Sequence, residues 1–125
     1  MTKEAALYQF WSGFGLNAYE ENTVPTGKDA PNMPYITYQV VMASFGYSVQ
    51  AAASLWYRSE SWTEINQKSH EISAAIGYGG VRVPYDGGAI WIRRGTPFAQ
   101  NMGDSNDKLV RRKYLNVTLE YFSVN

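Results

Sequence analysis

Hydrophobic positions along this chain fall into helical and alternating runs, separated by breaks rich in glycine and proline. In residues 2–14, Leu7, Phe10, Trp11 and Phe14 recur at the spacing of one helical stripe, with Ala5 and Tyr8 beside them. Thr2 with Ala5 is not a capping box, so the helix start is weakly marked, and Gly13 and Gly15 end it. Residues 16–34 hold Pro25, Gly27, Pro31 and Pro34 and read as a loop or arm, because proline defeats both helix and ladder. Residues 35–42 alternate Ile36, Tyr38, Val40 and Met42 against Thr37 and Gln39. Residues 47–58 alternate Tyr47, Val49, Ala51, Ala53, Leu55 and Tyr57 against Ser48, Gln50 and Ser54. With Ser44-Phe45-Gly46 as the turn, these two runs predict a hairpin, although Ala51-Ala52-Ala53 would suit a helix locally.

The clearest helical signal follows. Ser61-Trp62-Thr63-Glu64 has the form of a capping box, Trp62, Ile65, Ser69, Ile72 and Ile76 recur at helical spacing, and Gly77 stops the run. Asn66, Gln67, His70, Glu71 and Ser73 occupy the opposite face. Residues 81–85 and 89–93 flank Asp86-Gly87-Gly88, a strong hairpin signal. Residues 96–102 extend that strand or form an arm. After the polar loop 103–107, residues 111–124 alternate Leu115, Val117, Leu119 and Tyr121 against Asn116, Thr118 and Glu120. The pattern predicts a single α+β domain over 1–125. Its mainly antiparallel sheet of about five strands packs against two helices, in the order helix-hairpin-helix-hairpin-strand.

Composition narrows the chemistry. A chain of 125 residues is long enough for one real core without a staple. With no cysteine, disulfides, zinc–thiolate sites and thiol nucleophiles are excluded. Eleven basic residues balance eleven acidic ones, which argues against general nucleic-acid binding. Aromatic residues reach 15 %, a chemistry favoured where proteins meet proteins. No apolar run approaches the ~20 residues that cross a bilayer. The start of the chain lacks the apolar stretch of a signal peptide, so a cytoplasmic origin is expected.

Each candidate for catalysis meets a simpler explanation. His70, the single histidine, lies on the polar helix face, and its neighbour Glu71 points about 100° away around the helix. Ser73 lies about one turn from His70 without an oxyanion hole. Gly77-Tyr78-Gly79-Gly80 follows a helix instead of preceding one, the wrong order for cradling phosphate. Asp104, Asn106 and Asp107 lack the glycine and glutamate of a calcium loop, since positions 109 and 115 are both leucine. Glu20-Glu21 reads as a pair of solvated loop charges. No enzyme activity, metal or cofactor is expected. Arg93-Arg94 and Arg111-Arg112-Lys113 stand at strand ends. They discourage edge aggregation or form an arginine-rich contact surface for an acidic subunit or for DNA. Whether the two clusters share a sheet edge is open at this level.

Two segments carry a family resemblance: Leu7-Tyr8-Gln9-Phe10-Trp11-Ser12-Gly13-Phe14-Gly15 with Ala18-Tyr19-Glu20-Glu21-Asn22-Thr23-Val24-Pro25, and Pro34-Tyr35-Ile36-Thr37-Tyr38-Gln39. With Trp56-Tyr57-Arg58 and Glu60-Ser61-Trp62, they make the chain resemble the tail terminator (tail completion) proteins of tailed bacteriophages and phage-derived tail particles. The resemblance extends from Leu7 through the final strand. It implies a virion subunit, assembled in the bacterial cytoplasm, that forms a homo-oligomeric ring of six. The ring would cap the tail tube, stop its polymerisation and offer a surface to the head–tail connector protein. The tail tube protein is then a partner, as is DNA passing through the lumen, with no membrane and no cofactor. Arg93, Arg94, Arg111 and Arg112 are expected in contacts between subunits, and Asp86, Gly87 and Gly88 at a hairpin tip reaching the tube. Two alternatives stand beside it. One is another neck component, such as a head-closure, minor capsid or sheath-terminating protein. The other is a small-ligand-binding or hydrolytic α+β domain with an aromatic pocket.

Overall fold

A computed structural model describes residues 1–44, 46–104 and 106–123. Its elements are α1 (Lys3–Ser12), β1 (Asn17–Glu20), β2 (Tyr35–Tyr38), β3 (Ser48–Arg58), α2 (Thr63–Ile76), β4 (Val81–Tyr85), β5 (Gly88–Gly103) and β6 (Val110–Ser123), with a 3-10 turn at Gly27–Asp29. The strands form one six-stranded sheet in the order β1-β2-β3-β6-β5-β4. The expected α+β arrangement, with five antiparallel strands on two helices in helix-hairpin-helix-hairpin-strand order, is therefore corrected. The sheet has a sixth strand, it is mixed, and it dominates the molecule.

The correction originates in residues 16–34. Asn17–Glu20 pairs in parallel with Tyr35–Tyr38, Asn17 opposite Tyr35 and Glu20 opposite Tyr38. Parallel neighbours need a connection of a dozen or more residues, and the proline-bearing stretch 21–34 is that crossover. Four residues with two apolar side chains are too short for periodicity to reveal a strand. β2 stops early for a local reason. The Gln39 N–H bonds the Ala52 carbonyl at 2.9 Å, and its Oε1 accepts the Ala52 N–H at 2.8 Å. One side chain thus closes the ladder, and residues 40–44 turn away. Phe45 of the expected turn and Val124 of the expected last strand lie outside the described residues.

β3 is one of the two central strands despite its alanines, with β2 and β6 pairing along its two sides. Tertiary pairing overrides local propensity there. β5 continues through residues 96–102 to Gly103, with a register irregularity between Arg94 and Ala99. At α1, Thr2 is the N-cap after all, its Oγ1 accepting the Ala5 N–H at 3.1 Å. The capping box at α2 does not form. The Ser61 hydroxyl accepts from the Thr63 N–H at 3.0 Å, and Trp62 takes the cap position without a side-chain bond.

Both helices lie on one sheet face over a single core. α1 contributes Ala6, Leu7 and Trp11, α2 contributes Ile65, Ile72 and Ile76, and the strands add Ile36, Leu55, Ile90, Ile92, Leu115 and Leu119. α1 packs against β1 and β2 at one side of the strand order and against β4 at the other. The sheet therefore curls around α1 as a half-barrel.

Tyr121 fixes residues 40–44 to this core. It is 1 % exposed, and its hydroxyl donates to the Val41 carbonyl at 2.6 Å. Burial first, then Glu4 and Tyr85, push its pKa up to about 12. Burial likewise raises Tyr35, Tyr38 and Tyr57. An unfolded tyrosine ionises near pH 10, so the folded state disfavours the phenolate. The stability that Tyr121 contributes is complete below pH 10 and is lost as pH rises toward 12, by about 2–3 kcal/mol. Chemical denaturation between pH 8 and 12 should show this loss, and Tyr121→Phe should reduce its slope.

Candidate interaction surfaces

Side chains alternate across each strand, so the sheet face opposite the helices is decided by register. Tyr35 pairs with Trp56, and Trp56 with Arg112. Two residues along, Thr37, Ser54 and Tyr114 share the next row on that face, with Tyr19 opposite Thr37 on β1. The result is a connected band across four strands. Tyr19 meets Tyr35 edge-on at 6.0 Å, and Tyr35 stacks on Trp56 at 6.1 Å with 20° between the rings. The Arg112 guanidinium lies 4.6 Å from the Trp56 ring centre and 5.4 Å from that of Tyr114. Two bonds fix its orientation: Trp56 Nε1 to Thr37 Oγ1 at 2.9 Å, and Arg112 Nε to Ser54 Oγ at 3.0 Å.

A second group stands farther along the same face. The Arg93 guanidinium sits 4.0 Å over Trp91, whose ring lies 6.4 Å from Phe122, and Arg93 pairs with Glu120 at 3.3 Å. Cation–π contacts of this kind contribute about 0.5–1 kcal/mol each at exposed sites. More to the point, they hold guanidinium groups against a half-buried aromatic surface, the composition found at protein contacts.

The four arginines singled out in the sequence are not one patch. Arg93 and Arg94 pair with Thr118 and Val117 on β6, whereas Arg111 and Arg112 lie on β6 itself, opposite Gly103 and Met102. The clusters are thus about 20 Å apart along the sheet. Within each cluster the residues point to opposite faces. Arg93 and Arg112 take the aromatic face. Arg94 lies on the helix face, donating to Ser73 Oγ at 2.8 Å, and Arg111 reaches the Lys108 and Glu60 carbonyls and lies over Trp62. Lys113 is on the helix face too, where burial lowers its pKa. The Tyr19–Tyr35–Trp56–Arg112–Tyr114 band is missed by a reading of single strands, because its members lie on four different ones.

Asp86 and Gly87 form the predicted hairpin tip, and Gly88 is already the first residue of β5. Gly87 adopts φ +88°, and Asp86 binds the terminal amine of Met1 at 2.6 Å while its N–H bonds the Met1 carbonyl. The tip is therefore tied to the start of α1. His70 is exposed. Asp104 and Asp107 accept from the backbone N–H groups of Asn106 and Leu109. Ser105 of that loop lies outside the described residues. No group of three metal-binding side chains occurs among the described residues. An open groove of about 500 Å³ between α2 and the β1–β2 crossover is lined by Leu16, Pro34, Tyr57, Glu64, Lys68 and Glu71. Lys68 there is held by Glu71 at 2.6 Å and by the Phe14 carbonyl at 2.7 Å. No helix among the described residues is long and apolar enough to cross a membrane.

No family model matches the chain, and no curated protein matches its sequence.

Proposed function

We propose that this protein is a structural virion subunit that forms a ring on the end of a phage tail tube, stops the tube's growth and presents a surface to the head connector. The observation that carries this function is the aromatic–arginine face. It spreads Tyr19, Tyr35, Trp56, Arg112 and Tyr114 over four strands, with Trp91, Arg93 and Phe122 beyond them. Such a broad, shallow surface suits docking to protein better than enclosing a small molecule. A ring subunit must also meet two neighbours through different patches and its axial partners through others. The exposed Tyr78, Tyr47 and Tyr8 supply further aromatic contact area. The resemblance carried by residues 7–15, 18–25, 34–39, 56–58 and 60–62 supplies what the ring would cap.

Deleting the gene and imaging the particles by negative-stain electron microscopy tests this function. Tails of excessive, uncontrolled length are expected. Tails of normal length beside unattached heads would move the protein to the joining step of the neck, and wholly normal particles would overturn a structural role.

A further inference from the structure

We infer that copies of this chain join head to tail by strand addition, the outer edge of β5 in one copy taking the outer edge of β1 in the next. The inference rests on the ring reading, which it deepens by naming the contact that closes the ring.

The β5 edge is open for half its length. β4 pairs only with Gly88 to Ile92, so from Arg93 onward the strand has β6 on one side and no strand on the other among the described residues. Phe98-Ala99-Gln100-Asn101-Met102-Gly103 contains no charge and no proline, and its last four residues are exposed. Natural edges are guarded by charges, proline or cover. The neighbouring edge strand β4 has such guards in Arg82 and Pro84. The unguarded segment of β5 has the character of an interface.

A second open edge is β1, and three features match it to β5. The first is level. Following the registers across the sheet, Asn17, Tyr35, Trp56, Arg112 and Met102 lie in one row, and Glu20, Tyr38, Ala53, Leu115 and Ala99 in another. Asn17–Glu20 and Ala99 to Met102 therefore stand at the same height, so joining them adds little rise, the condition under which a head-to-tail contact closes into a ring instead of a filament. The second is direction. β1 runs with β2 and β6 and against β5, so a neighbour in the same orientation meets β5 antiparallel. The third is charge. Glu20 and Arg94 both lie on the helix face, in rows with Tyr38 and Val117. Arg94 is exposed, with its guanidinium bonded to the Ser73 hydroxyl. Val117 is two residues beyond Leu115, so the neighbour's Glu20 would stand about 7 Å along the strand from Arg94, within reach of the two side chains.

The absence of native cysteine makes the test clean. The variant Asn17→Cys/Met102→Cys places both thiols on the aromatic face, and Asn17→Cys/Asn101→Cys places them on opposite faces. Both are purified, checked for native melting, and oxidised. The first pair should give a ladder of covalent oligomers on a denaturing gel, ending at the closed ring, and the second should give none. No ladder from the first pair, or equal ladders from both, would overturn the inference. In the parent chain Arg94→Glu should weaken self-association about tenfold at low salt, and adding Glu20→Arg should restore it; an unchanged association would count against the contact. A ladder in a protein whose deletion leaves tail length normal would keep the edge contact and reject the capping role. Overlong tails with no ladder would do the reverse.

Discussion

Replacing Trp11 with alanine is expected to lower the unfolding free energy by about 3–5 kcal/mol. Trp11 is 2 % exposed and is the largest fully buried side chain of the core. Its ring stacks on Tyr38 at 6.4 Å and meets Phe10 edge-on at 4.9 Å. It thereby joins α1, around which the sheet curls, to β2. Truncation removes the transfer contribution of the indole and leaves a cavity that a helix held at both sheet edges cannot collapse to fill. For a domain with total stability of about 5–15 kcal/mol, that loss is a large share. Urea denaturation followed by circular dichroism measures it. Trp11→Phe should recover about half, because a smaller ring keeps part of the contact area, and a loss below 1 kcal/mol for Trp11→Ala would show that α1 is not held by this residue.

Gly88→Ala should be nearly as damaging, for the opposite reason. A Cβ at position 88 would lie 1.9 Å from the Phe122 carbonyl oxygen and 2.9 Å from Ser123 Cα, both backbone atoms that cannot rotate away. Close approach of two strands demands glycine here, independently of the turn that Gly87 makes. Overpacking costs about 1–3 kcal/mol, and with backbone on the receiving side the upper end is expected. Gly103→Ala is the matched control, since a Cβ there meets nothing within 4 Å, and its effect should stay within about 0.5 kcal/mol. Equal effects at the two positions would contradict the close packing of β5 on β6.

The parts of this fold that were legible in the sequence are those in which one element specifies itself. α2 shows its buried stripe Ile65, Ser69, Ile72 and Ile76 directly, and Asp86-Gly87 announces its hairpin. β1 was not legible, because a four-residue strand has no period to detect and owes its existence to pairing with Tyr35–Tyr38. The same limit applies to the surfaces. Arg93 and Arg94 look like one cluster in sequence, yet consecutive residues of a strand face opposite ways, and only Arg93 joins the aromatic face. The Trp56–Arg112 stack links residues 56 positions apart through the register of β3 on β6, which hydrophobic patterning along single strands does not encode.

The capping role is tested most directly by locating the chain in intact particles. Electron microscopy of tails labelled with an antibody against this protein should show one focus at the head-proximal end of each tube. Label distributed along the tube, confined to the distal tip, or absent from purified particles would contradict the assignment.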